Sequence, residues 1–152
     1  MVLSQDAELR LRGGLRVRVT WPPETPDTPP LLVYVGPRNR AVARELAIHL
    51  PAVVLSVPGL DLDTAREALE WGADHATELG AAPHRLSLVG DHGAAGLIAA
   101  LARHARDRGW PPIEHTALVP PQLSPSALDA LVRLLQVTGS QAFGNVGGMR
   151  PG

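Results

Sequence analysis

The sequence predicts an α/β domain: a mostly parallel sheet that opens with an antiparallel hairpin and carries helices on both faces. Three observations predict it. Short unbroken apolar runs recur along the chain, as strands covered on both faces of a parallel sheet require. Between them lie stretches with apolar residues every three or four positions, the spacing of amphipathic helices that return the chain through right-handed crossovers. At the N-terminus two strictly alternating segments flank a glycine pair, the pattern of a hairpin with one wet face.

Ala7 to Arg12 alternates apolar and charged residues, Gly13-Gly14 supplies the turn, and Leu15 to Thr20 alternates again. The proline cluster from Trp21 to Pro30 fixes φ and removes N–H donors, which makes it a connecting loop. Leu31 to Val35 is the first doubly buried strand, followed by a helix near Arg40 to Leu50 and a strand from Ala52 to Val57. Thr64 and Glu67 have the spacing of a capping box ahead of Leu69, Gly72, Ala76 and Leu79. They predict a helix around Asp63 to Leu79, closed by Gly80. Leu86 to Val89 is the next strand, and Ala94, Leu97, Ile98, Leu101 and Ala105 form the stripe of a helix that Gly109 ends. Thr116 to Val119 gives one more strand. Residues 1–143 read as one domain, and the glycine-rich residues 144–152 as a loose tail.

Composition excludes several classes. A formal net charge of −1 gives no general attraction to nucleic acid or an anionic membrane. The absence of cysteine removes disulfides, thiolate metal sites and thiol redox chemistry. Apolar runs are all too short to span a bilayer and the N-terminus lacks a signal pattern, so the expected location is cytoplasmic. His49, His75, His84, His104 and His115 are scattered without metal-ligand spacing, and no cofactor or metal is expected. A meeting of His115 with Glu114 and Asp129 is conceivable in space, but polar residues on the solvated surface are the preferred reading.

The informative junction is Arg85-Leu86-Ser87-Leu88-Val89-Gly90-Asp91-His92-Gly93-Ala94-Ala95-Gly96, which passes from strand to helix through small residues. A nucleophile elbow has this texture, because a sharp turn that thrusts one side chain above a sheet needs small residues two before and two after it. Gly90 and Ala94 stand in those places around His92. Here the chain resembles the hormone-sensitive-lipase-like branch of the α/β-hydrolase family, whose elbow reads G-D-S-A-G-G. Trp71 to Gly80 and Ala99 to Gly109 resemble the helices on either side of that elbow. Leu31 to Gly36 resembles the strand leading into the family's H-G-G-G loop, Ala52 to Val57 the next strand, and Leu134 to Ser140 the late strand before the catalytic acid. The resemblance implies a shortened α/β-hydrolase-like fold and kinship with carboxylic-ester hydrolases.

The chain departs from the family where chemistry is done. His92 occupies the place of the serine whose hydroxyl a histidine and a carboxylate activate. Pro37-Arg38-Asn39-Arg40 replaces the glycines of the oxyanion loop, and Pro37 has no N–H to donate. The segment after Pro58-Gly59 lacks the family's Y-R-L-A-P-E stretch, Gln141-Ala142-Phe143 stands where an aspartate is expected, and no final strand and histidine follow. An aspartate-nucleophile register at Asp91 would put branched Val89 where a small residue is needed, so Asp91 is read as bonding locally.

The expectation is a catalytically degenerate hydrolase-like protein that acts by binding a small molecule or a protein partner. The alternative is an active esterase-like hydrolase that uses His92 or is completed by a second subunit. A third reading, a homo-oligomer or hetero-oligomer component, follows from the sheet edge that a shortened fold would leave open. His92 is the candidate catalytic position, and Gly36, Arg38, Asp91 and Gly93 are the candidate ligand contacts. Arg38 and Arg40 near a helix start oppose the helix dipole, which a bound anion would offset, although a solvated surface is the preferred reading of this pair.

Overall fold

The computed structural model describes residues 5–11, 14–23, 29–36, 40–59, 61–120 and 124–136, with residues 40, 92 and 136 described by their backbone alone. Along the chain run β1 (Gln5–Arg10), β2 (Arg16–Trp21), β3 (Leu31–Val35), α1 (Arg40–His49), β4 (Val53–Val57), α2 (Leu62–Asp74), β5 (Leu86–Asp91), α3 (Ala95–Arg108), β6 (Ile113–Val119) and α4 (Pro125–Gln136). The strands form one mixed sheet in the order β1-β2-β4-β3-β5-β6. The hairpin joins it antiparallel through Val19↔Leu55, whereas β3 lies at the centre, parallel to β4 and to β5. This is the predicted mostly parallel sheet with its antiparallel hairpin.

Alternation along the strands sorts the core into two layers. Val17, Val19, Leu31, Val33, Leu55 and Leu88 face α2 and α3. Leu32, Tyr34, Val54 and Val89 face α1 and α4. Because both layers are apolar, β3 and β4 are buried at every position, which is why each read as an unbroken apolar run. The fit is tight: a Cβ added at Gly72 of α2 would stand 2.8 Å from Leu55 Cδ2, so the missing side chain lets helix and sheet close. At the hairpin end, Trp21 Nε1 donates to the Leu79 carbonyl at 2.8 Å and ties the N-terminal strands to the turns after α2.

Three local expectations are corrected. The cap of α2 is Asp61, whose Oδ2 accepts from Thr64 N at 2.9 Å, so Thr64 lies inside the helix and the Thr64–Glu67 box does not cap it. That hydrogen bond holds the Asp61 carboxyl below the usual aspartate range. The helix also ends earlier, at Asp74, and a series of turns carries buried Ala76 and Leu79 to Gly80 at φ 85. The third correction concerns Leu134 to Ser140. Leu134, Leu135 and Gln136 belong to α4, while 137–140 lie outside the described residues, as do the tail at 144–152 and Gln141 to Phe143. Ser124 starts this helix by accepting from Ala127 N at 3.2 Å, Pro125 takes the first position, and Leu128, Leu131 and Leu135 form its buried stripe. Among the described residues, no helix is long and apolar enough to cross a membrane.

Candidate ligand site at the carboxyl edge of the sheet

Ligand sites in open α/β sheets gather beyond the carboxyl ends of the strands, and here the ends of β3 and β5 adjoin in register, Val35 opposite Gly90. Two residues of these strands meet across the sheet: the Tyr34 hydroxyl donates to Asp91 Oδ1, a bond between groups 57 residues apart. Asp91 is 6% exposed and Tyr34 fully covered, so the carboxylate is sequestered on the α1 side of the sheet. Gly36 closes over it. A Cβ at Gly36 would fall 2.3 Å from Asp91 Oδ2 and 2.7 Å from Cγ, and the Gly36 N–H donates to the Val57 carbonyl at 3.2 Å. Gly36 and Asp91 are thus neighbours, as their shared assignment to one site requires.

The junction itself is smooth. Asp91 keeps an extended conformation (φ −63, ψ 158), His92–Ala94 wind into a single 3-10 turn, and α3 follows from Ala95. Among the described residues only glycines have positive φ. A catalytic elbow stores strain in a sharp strand-to-helix turn, whereas a 3-10 turn uses ordinary helical dihedrals. The small residues around His92 are needed all the same. A Cβ at Gly90 would meet Ile98 Cγ1 at 2.7 Å and the Ala94 Cβ at 3.2 Å, so α3 can leave β5 at this angle only over a glycine.

Among the described residues no side chain caps the 3-10 turn or α3, and the Asp91 carboxylate is directed to Tyr34. Gly93, Ala95 and Gly96 are exposed, and a Cβ at Gly93 or Gly96 would meet nothing within 4 Å. The first turn of α3 contains no acidic residue. Peptide N–H groups at such a helix start carry partial positive charge and accept anions. The edge therefore offers donors to a carboxylate or an ester carbonyl. Arg38 lies outside the described residues.

Three other histidines are engaged elsewhere. His75 Nδ1 lies 2.8 Å from the Trp71 carbonyl and its ring stacks on Trp71, with centroids 4.5 Å apart. His49 Nε2 is 3.3 Å from Glu45 Oε1. His115 departs from the surface reading: it is buried, with Nδ1 3.4 Å from Ser87 Oγ and 3.7 Å from Glu114 Oε1. Asp129 instead pairs with Arg133 at 2.9 Å. Serine, histidine and carboxylate do meet around His115, but both partners face the same ring nitrogen. A triad needs them on opposite nitrogens, and Ser87 is sealed within the sheet at 1% exposure. No group of three His, Asp or Glu able to hold a metal occurs among the described residues. A cleft of about 700 Å³ between α1 and α4 is bordered, among the described residues, by groups that include His49, Leu128 and Asp129 and by none from the β5–α3 junction.

Comparison with known proteins places these features in context. A family model described as alpha/beta hydrolase fold matches residues 59–142. The chain is 33% identical over 115 residues to the carboxylesterase NlhH of Mycobacterium tuberculosis, covering 64% of this chain and 36% of that protein. It is 29% identical over 121 residues to esterase LipI of the same species, covering 66% and 38% respectively. Among solved structures, the hyperthermophilic esterase from the archaeon Pyrobaculum calidifontis superposes with a TM-score of 0.63 at 28% identity, over 77% of this chain and 44% of that one. The chain spans between 36% and 38% of the length of these curated relatives.

Proposed function

Because the chain belongs to the α/β-hydrolase fold family, we propose that it keeps the family's ligand edge without its covalent chemistry, and binds a small carboxylate- or ester-bearing molecule there. One observation carries this reading: the strand-to-helix junction runs through a 3-10 turn at His92–Ala94 while Asp91 is buried against Tyr34. In this fold, attack on an acyl carbon uses a nucleophile presented by a strained turn and activated by a base. Asp91 is committed to a structural bond, and the serine position holds His92.

What remains suits recognition. N–H groups from Gly93 onward are oriented by α3 toward the edge, and Gly36 lets β3 approach them over Asp91. A carboxylate at that place receives hydrogen bonds without a proton transfer, and Arg38 is assigned to pair with it. The ligand class follows from the neighbours named as carboxylesterases, whose substrates contain an ester carbonyl. We place this pseudoenzyme in the cytoplasm, an assignment in keeping with a chain devoid of cysteine.

The test pairs turnover with binding. Hydrolysis of p-nitrophenyl butyrate is measured for the protein and for its His92→Ala and His92→Ser variants, and butyrate is titrated while backbone amide shifts are recorded. The expected result is no turnover above the His92→Ala background, with saturable shifts at Gly36 and Gly93. Turnover that His92→Ala abolishes would establish an active hydrolase using His92. Turnover unchanged by His92→Ala would place catalysis on another group, and either finding overturns the binding-only reading.

A further inference from the structure

The hairpin packs one face on the core and, near its turn, leaves the other to solvent. Pairing of β1 with β2 sets even-numbered residues against even-numbered ones. Asp6, Glu8, Arg10, Arg16, Arg18 and Thr20 therefore share the face opposite the core residues Val17 and Val19. Nearest the turn on that face, Arg10 stands directly opposite Arg16. Leu11 N donates to the Leu15 carbonyl at 2.6 Å, which makes Leu11 and Leu15 a hydrogen-bonded pair and Arg10 and Arg16 the closer, non-hydrogen-bonded pair beside it. In such a pair the α-carbons are about 4.5 Å apart, and like charges so placed repel.

The neighbouring charges do not relieve the two arginines. Arg18 is opposite Glu8, yet its Nη1 lies 3.5 Å from Asp6 Oδ1, on the side away from Arg16. Glu8, Arg10 and Arg16 are exposed, and none of them has an ion pair among the described residues. Together with Leu9 they border a cleft of about 280 Å³, room enough for a small polyatomic ion. Two guanidinium groups against one carboxylate make its rim net positive. Because β2 runs antiparallel to β4 with Arg18 opposite Ser56, Arg16 lies further toward the carboxyl end of β4. The cleft is thus on the same edge of the sheet as Asp91, but β4 and β3 stand between β2 and the β5 strand that carries Asp91.

We propose that this cleft binds inorganic phosphate: Arg10 and Arg16 donate N–H groups to its charged oxygens, and Glu8 accepts from its protonated oxygen. A guanidinium presents a fork of donors that matches an oxyanion, and a doubly charged anion between two such groups replaces their repulsion by two attractions. Glu8 sets the choice among oxyanions. At mildly alkaline pH hydrogen phosphate keeps one proton and donates it to the carboxylate, whereas sulfate has none and meets Glu8 as a like charge. A phosphomonoester, with a second pKa of about 6, is likewise without a proton there.

The test is titration calorimetry of the full chain at mildly alkaline pH with phosphate, sulfate and phenyl phosphate. Sodium chloride holds the ionic strength constant, so that screening of the arginine pair is the same throughout. Saturable binding of phosphate is expected, about tenfold or more tighter than that of sulfate or phenyl phosphate. Arg10→Gln and Arg16→Gln are each expected to weaken it by about tenfold or more, the effect of losing a charge-assisted hydrogen bond. Without phosphate both variants should unfold no earlier than the unaltered protein, since the repulsion leaves with the charge; this separates loss of the site from loss of the fold. Glu8→Gln should erase the preference over sulfate. Backbone amide shifts should follow phosphate at Arg10 and Arg16 and not at Gly93, which keeps this site distinct from the ligand edge. No saturable binding, sulfate or phenyl phosphate bound as tightly as phosphate, affinity unchanged in either arginine variant, or shifts at Gly93 without shifts at Arg16 would each overturn the proposal.

Discussion

Gly36→Ala is the most informative single change at the ligand edge. The added Cβ would meet three atoms of one side chain, Asp91 Oδ2 at 2.3 Å, Cγ at 2.7 Å and Cβ at 3.0 Å. Relief to ordinary van der Waals contact requires the carboxylate to move by about 1 Å, which disturbs its hydrogen bond from the Tyr34 hydroxyl. Overpacking of this kind costs roughly 1–3 kcal/mol. Weakening of a hydrogen bond to a charged group in a buried setting adds up to about 3 kcal/mol. The sum, about 4 kcal/mol, corresponds to a fall in Tm of about 10 °C for a chain of this size. Calorimetry and urea unfolding measure it, and a double-mutant cycle with Tyr34→Phe assigns it. If the loss arises through Asp91, the two changes are less than additive, with a coupling of about 1–2 kcal/mol. Additivity within about 0.5 kcal/mol, or a cost for Gly36→Ala below about 1 kcal/mol, would refute the argument.

Three more outcomes follow from other contacts of the fold. Gly90→Ala should cost about 1–3 kcal/mol by pressing on Ile98, and combination with Ile98→Val should recover part of that in urea unfolding, since the smaller side chain lacks Cδ1. Trp21→Phe keeps an aromatic ring but removes the pyrrole ring with its Nε1 donor to the Leu79 carbonyl, and should cost about 1–3 kcal/mol in the same assay. Asp61 has its carboxyl pKa lowered by the bond from Thr64, so its contribution to stability is present above the unfolded aspartate pKa and is lost as pH falls through the lower folded value. Asp61→Ala should therefore lower Tm at neutral pH, and the difference from the unaltered protein should vanish in strong acid.

The sheet was legible because doubly covered strands have a direct signature. Leu31–Val35 and Val53–Val57 are apolar at nearly every position, and a parallel sheet between two helical layers is what makes such a run stable. The α3 stripe and its stop were equally plain, with Gly109 at φ 73 closing the helix. Leu134 to Gln136 end α4 instead of opening a late strand, although the local helical pattern is plain: Ser124-Pro125 as cap and first residue, then Leu128, Leu131 and Leu135 at helical spacing. For α2, Asp61 and Thr64 are both residue types that cap helices, and only the bond between them shows which one does. The junction around His92 was recognised from its small residues, and Gly90 against Ile98 gives their physical reason. The Tyr34–Asp91 bond had no local signal, since it joins strands 57 residues apart through a register that only the folded sheet fixes.

The position of β3 has a consequence for how the molecule is made. It is the central strand of the sheet, yet one of its two neighbours, β5, is delivered only after β4 and α2 have been synthesised. A nascent chain that has released β3, β4 and α2 but not residues 86–91 presents the Leu31–Val35 edge, apolar on both faces and with no charged residue to guard it. The interval of translation between α2 and β5 is therefore the stage at which the chain most needs protection from its neighbours. A ribosome stalled in that interval holds a sheet whose future centre is still an edge.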